Sequence, residues 1–290
     1  MAIMHIEPTD ATLGAVVTGV SLAALDEAGF QALHQAWLKH ALLIFPGQHL
    51  SNDQQISFAR RWGAIERIGG GDIVAISNVR ADGRLREHTP EQWDDMMKII
   101  VGNMAWHADS TYMPVMAKGA VFSGEVVPAE GGETGFADMR AAYDALDEAM
   151  RALVQQRSAH HSLVYSQSKL GHHQGADSAY VGYGMDQAGA PLRPLVKIHP
   201  ETGRPSLLIG RHAHAIPGMA ADESERFLEG LVEWACQAPR TYHHRWTAGD
   251  ALLWDNRCLL HRAMPWDMAQ PRVMWHSRLR GDDITETAAA

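Results

Sequence analysis

The feature that most constrains this 290-residue chain is Trp106-His107-Ala108-Asp109. It is answered far downstream by Trp254-Asp255-Asn256-Arg257-Cys258-Leu259-Leu260-His261 and then by Arg272. In an extended segment, residues i and i+2 point to the same side. His107 and Asp109 can therefore take two adjacent positions on one metal ion. A third ligand from a distant strand, His261, then completes one triangular face and leaves the opposite face open. A fold that satisfies this must bring strands remote in sequence side by side at one open end.

The bare triplet carries no weight. With 17 histidines and 34 acidic residues, about two His-x-acid triplets arise by chance, and three occur: His5-Ile6-Glu7, His107-Ala108-Asp109 and His199-Pro200-Glu201. The first sits at an unanchored N-terminus. The third reads as a turn, because Pro, Glu, Thr and Gly follow one another there. Only the middle triplet has a remote histidine and arginine to work with. Two histidines and one carboxylate make the facial triad that binds non-haem iron with open positions.

The chain resembles the taurine/2,4-dichlorophenoxyacetate dioxygenase family of Fe(II)/2-oxoglutarate enzymes over roughly residues 5 to 280. The motifs that carry the resemblance are Trp-His-x-Asp, Ser110-Thr111-Tyr112, Gly131-Gly132-Glu133-Thr134, Trp254-Asp255-Asn256-Arg257, and the spacing of His261 to Arg272. Within the family, Phe45-Pro46-Gly47-Gln48, residues 164–169 and residues 209–214 are most similar to aryloxyalkanoate dioxygenases acting on (S)-2-phenoxypropionates. The resemblance implies Fe(II) held by His107, Asp109 and His261, with 2-oxoglutarate and O₂ taking the remaining positions. A guanidinium grips a carboxylate through two parallel hydrogen bonds, so Arg272 is expected on the remote carboxylate of 2-oxoglutarate. Thr134 would donate to the same carboxylate, and Asn103 would stand at the boundary between cosubstrate and substrate.

One departure bears on the substrate. Family members often carry a second arginine four residues after the one matching Arg272, where it holds the substrate anion, and here that position is His276. Arg278 would share its face on a regular strand. The anion is therefore expected elsewhere, on Arg211, Lys98 or Tyr165, with His212 and His214 lining the cavity. The remaining histidines, among them His160-His161, His172-His173 and His243-His244, are not expected to form a second metal site, since adjacent strand residues face opposite ways. The implied reaction cleaves the ether of an aryloxypropionate or aryloxyacetate to a phenol and pyruvate or glyoxylate, with succinate and CO₂ formed from 2-oxoglutarate. Two rivals are the same chemistry on an alkyl sulfonate or sulfate ester, and a non-catalytic jelly-roll binding protein.

Composition narrows the setting. A chain with 46% apolar and 20% charged residues suits a globular core. A net charge of −9 argues against a nucleic-acid binder, which needs a basic stripe. No 18-residue apolar run is present, no basic leader opens the chain, and the two cysteines form no framework. A cytoplasmic homo-oligomer with no membrane or nucleic-acid partner is expected. The pattern predicts a helix from Asp26 to His40, a strand over 41–45, and a capping box at Ser51-Gln54 opening a helix that ends at Gly63. Asp147 and Asp222 are expected to cap later helices, with Glu225 completing a box at the second. Gly69-Gly70-Gly71 is a turn and no phosphate loop. Short strands dominate from Arg240 onward. The expected fold is mainly β with flanking helices, a double-stranded β-helix or jelly roll. It forms one domain over 1–290, with a lid around 70–102 and a flexible tail over 281–290.

Overall fold

The computed structural model describes residues 3–67, 70–171 and 190–288. Its main sheet runs, neighbour by neighbour, His5–Pro8, Ala15–Thr18, Leu42–Phe45, Ala251–Asp255, Gly119–Val126, Val273–Leu279 and Val74–Ser77. Pairing is antiparallel except between Ala15–Thr18 and Leu42–Phe45. A smaller antiparallel sheet, Thr241–His244, Thr134–Asp138 and Leu259–Ala263, provides the second layer of the jelly roll.

The expected strand at 41–45 is apolar throughout because both of its faces are buried. Leu43 and Phe45 face a core shared with Leu33, Trp37, Phe58 and Trp62. Leu42 and Ile44 face Phe122, Phe136, Trp246 and Trp254, between the two sheets. The neighbouring strand repeats the division, Ala251 and Leu253 on one side, Leu252 and Trp254 on the other, as the twofold period of a strand requires.

Helix signals hold where side chains meet backbone amides. The helix Glu27–His40 starts at Asp26, whose carboxylate accepts from Gly29 N, and ends at Ala41 in the left-handed region. Ser51 and Gln54 form both arms of the capping box of Asn52–Arg61, and Asp147 caps Glu148–Gln155. Asp222 does not cap. The helix Ala221–Ala235 starts two residues earlier than such a cap implies, with Ala220 at the cap position, and Asp222 instead pairs with Arg226 one turn on. There the acidic first turn faces the positive end of the helix dipole without a cap.

Three further segments singled out in the sequence can be placed. The N-terminal triplet is anchored, because His5–Pro8 pairs with Ala15–Thr18 as an edge strand. The segment 281–288 is anchored through Glu286, which is 1% exposed, is ion-paired to Lys197 and accepts from Arg193 at its carbonyl, while residues 282–285 are exposed. Within 70–102, Val74–Ser77 is a strand of the main sheet, and the helix Asp95–Gly102 lies over the site.

Candidate active site

His107 and His261 are cross-strand partners. Each donates its backbone N–H to the other's carbonyl, at 3.0 and 2.8 Å, and their ring centroids lie 4.2 Å apart. The pairing explains how two distant motifs arrive together. Asp109 is fixed through its backbone: its N–H donates to Asn256 Oδ1 at 2.7 Å, and Asn256 Nδ2 donates to the Asp109 and Ala117 carbonyls. The Asn of Trp254-Asp255-Asn256-Arg257 thus clamps the carboxylate residue, a role that spacing alone did not reveal. Nearby, Asp255 bonds Arg257 and His199 and is spent on structure.

One ligand atom from each of His107, Asp109 and His261 lies within 4.8 Å of the other two, and all three residues are buried. The His107 Nδ1–H donates to the Ala105 carbonyl at 2.8 Å, which leaves the Nε2 lone pair for the site. Asp109 Oδ2 is buried with no hydrogen-bond partner. Burial holds His107 well below the ordinary imidazole range and brings His261 down to about 4, so both rings are neutral. Burial disfavours an ionised Asp109, but the Arg278 guanidinium holds it well below the usual carboxylate range. Two neutral imidazoles and an ionised, unpaired carboxylate oxygen are the donor set that a divalent iron needs, and the residues fit the metal.

A second His-acid-Cys grouping, His199, Asp255 and Cys258, does not fit one. Both Asp255 oxygens are already bonded to Arg257 and His199, and burial pushes the Cys258 thiol up, away from thiolate. His160 and His161 do face opposite ways, the second fully buried, and so do exposed His243 and buried His244. His172 and His173 lie outside the described residues.

The cavity beside the cluster collects Arg272, Thr134, Asn103, Arg211 and His212. Arg272 is 3% exposed, and burial, with no compensating acid among the described residues, pulls its pKa to about 10. Its guanidinium lies over the Trp266 ring, one Nη donates to the Gly132 carbonyl, and Nε has no partner. Gly131 and Gly132 both have positive φ, and a Cβ at 132 would press on Arg272 Nε at 3.3 Å. The Gly-Gly turn therefore lets backbone approach the arginine. Thr134 Oγ1 accepts from Trp246 Nε1 at 2.9 Å, which leaves its own O–H to donate into the cavity. Trp246 is a supporting residue that the sequence did not single out.

Two expected residues stand elsewhere. Lys98 pairs with Asp95 on its own helix, and the Tyr165 hydroxyl donates to Glu225 while its ring stacks on His214. Neither lines the cavity, and His214 is absent from its lining as well. His212 does line it, bonded to Ser166, and Arg211 Nη2 donates to Gln167. His276 and Arg278 share a strand face, as expected, and both point at Asp109: His276 Nε2 is 3.5 Å from Oδ2, and Arg278 Nη2 is 3.2 Å from Oδ1. Apolar walls come from Val74, Ile76, Ile99, Ile100, Phe122 and Leu163.

Residues 5–278 match the family model described as taurine catabolism dioxygenase TauD, TfdA family. The chain is 79% identical over 286 residues to an (S)-phenoxypropionate/alpha-ketoglutarate-dioxygenase of Delftia acidovorans, covering 99% of this chain and 98% of that one. It is 66% identical to a protein of the same description from Sphingobium herbicidovorans, covering 98% of each. Its structure matches that of AAD-2 solved with Mn(II) and N-oxalylglycine, with a TM-score of 0.88, 32% identity and 99% of both chains covered. The histidine pair, the clamped carboxylate and the buried Arg272 thus sit in a chain that belongs to the TauD/TfdA dioxygenase family.

Proposed function

We propose that this protein is an Fe(II)- and 2-oxoglutarate-dependent dioxygenase that cleaves the ether of (S)-2-aryloxypropionates, and of aryloxyacetates, to a phenol and pyruvate or glyoxylate. His107, Asp109 and His261 hold the iron, which when bound supplies the oxidation by O₂ that converts 2-oxoglutarate to succinate and CO₂ and hydroxylates the carbon next to the ether oxygen. The observation that carries the reading is Arg272: a buried guanidinium with no acid among the described residues, beside a His-Asp-His cluster. A buried cation left unpaired is costly, and the distal carboxylate of a keto acid removes that cost. A protein that only bound metal would have no use for it.

The chain's own residues divide the remaining work. Arg272 and Thr134, the latter held by Trp246, grip the cosubstrate. Asn103, at the end of the helix Asp95–Gly102 and tied through its carbonyl to Ala263 N, borders both ligands. Arg211, which lines the cavity as Lys98 and Tyr165 do not, takes the substrate carboxylate. The apolar walls take the ring, and the Asp95–Gly102 helix with the rest of 70–102 shields the site from water. Moving the anion anchor from position 276 to Arg211, while iron and ring pocket stay fixed, presents the other face of the α-carbon and so selects the (S) form, whose single α-hydrogen then points at the iron. No helix among the described residues is long and apolar enough to cross a membrane, and a cytoplasmic homo-oligomer remains our reading.

Anaerobic titration with Fe(II) and 2-oxoglutarate tests the proposal. A weak visible charge-transfer band is expected in the wild type and not in His107→Ala, Asp109→Ala or His261→Ala. On admitting air, (S)-2-phenoxypropionate should release phenol and succinate in equal amounts, with the (R) form left behind. Succinate release with a sulfate ester and none with the phenoxy acid would overturn the substrate assignment.

A further inference from the structure

The helix Asp95–Gly102 contributes Ile99 and Ile100 to the cavity wall and ends on a glycine. Glycine is a poorer helix former than alanine, so its use at this buried last position of the helix calls for a packing reason. A Cβ at residue 102 would lie 2.4 Å from Arg211 Nη1, 3.0 Å from Nη2 and 3.1 Å from Cζ. All three nearest atoms belong to one guanidinium, the free end of a flexible side chain, and none to backbone. A methyl group there would displace the tip of Arg211 and little else.

The base of Arg211 is fixed independently. Its N–H donates to the Trp106 carbonyl at 2.9 Å. The preceding Gly210 has φ +122, and a Cβ on it would sit 3.1 Å from that same carbonyl and 3.3 Å from His107 Cα. The backbone of 210–211 is therefore pressed against the metal-binding motif, while the guanidinium donates to Gln167 Oε1 at 3.1 Å and lies on Gly102.

We infer that Gly102 is a positioning residue for the substrate carboxylate: its missing side chain is the seat on which the Arg211 guanidinium rests, so that residue 102 sets affinity for the aryloxy acid without touching it. The inference rests on the reading that Arg211 holds that carboxylate. A displaced guanidinium loses a charge-assisted contact worth about tenfold or more in affinity.

The test is a steady-state comparison of Gly102→Ala, Arg211→Ala, Arg211→Lys and the two double variants. Each is scored for the aryloxy KM with (S)-2-phenoxypropionate, the keto-acid KM, kcat and thermal midpoint. Gly102→Ala is expected to raise the aryloxy KM by about tenfold, with kcat falling less than KM rises. The keto-acid KM should hold, and so should the thermal midpoint, because alanine favours the helix. In an Arg211→Ala background the same change should add nothing. In an Arg211→Lys background, whose narrower tip clears the methyl, it should cost less than in the wild type. A rise in aryloxy KM for Arg211→Ala but none for Gly102→Ala would overturn the seat alone. An equal penalty in all three backgrounds would show that residue 102 acts by another route. No effect of Arg211→Ala would remove the anchor itself and the inference with it.

Discussion

Arg278 engages one oxygen of Asp109 and leaves the other open: Nη2 stands 3.2 Å from Oδ1, whereas Oδ2 is buried without a hydrogen-bond partner. Arg278 is itself held, Nη1 donating to Ser110 Oγ at 2.9 Å and its carbonyl accepting from Glu66 N. Ser110 Oγ in turn donates to the Glu66 carboxylate, and Ser110 adopts a positive φ of 55 that turns it back toward these partners. In the family pattern the second arginine lies at the position of His276 and serves the substrate. Here a cation two residues along the same strand face serves the proposed metal-binding carboxylate instead.

Arg278→Met should therefore weaken binding of Mn(II) or Co(II), read by calorimetry on the metal-free protein. Partners that orient a ligand typically contribute roughly 10- to 100-fold in metal affinity. Arg278→Lys should fall between, because a point charge keeps attraction and loses the fork. Unchanged metal affinity together with a raised aryloxy KM would mean that Arg278 holds the substrate and not Asp109.

Arg272→Ala should raise the keto-acid KM far more than the aryloxy KM. Loss of a charge-assisted bidentate contact costs about 2–4 kcal/mol, roughly 30- to 1000-fold. Trp246→Phe, which removes the donor to Thr134 Oγ1 together with part of a buried ring, should act in the same direction and more weakly. A keto-acid KM indifferent to Arg272 would assign the cosubstrate to a different cation.

What the sequence revealed here, and what it hid, follows the range of each interaction. The metal cluster was legible because a strand's twofold period puts His107 and Asp109 on one side, and the motif around His261 has a specific company. The caps at Asp26, Ser51 and Asp147 were legible because capping is a contact within three residues. Asn256 on Asp109, Trp246 on Thr134 and Gly102 under Arg211 were not, since each joins residues more than a hundred positions apart and depends on register. Lys98 and Tyr165 misled for the converse reason: residue type suggests an anion anchor, but the acids Asp95 and Glu225 nearby in the fold engage them first.

Burial also writes a pH dependence into stability. His161 is fully buried with neither ring nitrogen hydrogen-bonded, and desolvation, with Arg193, His214 and His160 adding repulsion, takes its pKa down to about 3. Between that value and the unfolded value of about 6.5 the unfolded chain binds a proton that the folded chain refuses. Stability should thus rise with pH through this window and fall on acidification from about 6.5 downward. His161→Gln, which removes the titrating group, should flatten the slope of thermal midpoint against pH even if it lowers the midpoint overall. Parallel curves for the two proteins would show that His161 does not set this dependence.

The handedness of the reaction offers the sharpest test of the anion anchor. Arg211→Ala should weaken binding of the aryloxy acid and leave 2-oxoglutarate nearly untouched, because Arg211 and Arg272 arise from separate elements and hold separate carboxylates. The His276 side chain faces the cavity, stacks on Trp254 and lies 3.5 Å from Asp109 Oδ2. An arginine introduced there would occupy the position that family members often use for the substrate anion. The double change Arg211→Ala with His276→Arg should therefore restore part of the carboxylate binding from a new direction. With the ring pocket and metal ligands unmoved, the site would then meet the single α-hydrogen of the mirror-image enantiomer, and preference should tilt to the (R) form. Chiral analysis of the substrate left from a racemic mixture decides it. Continued exclusive consumption of the (S) form, with normal affinity in Arg211→Ala, would place the source of handedness in the ring pocket.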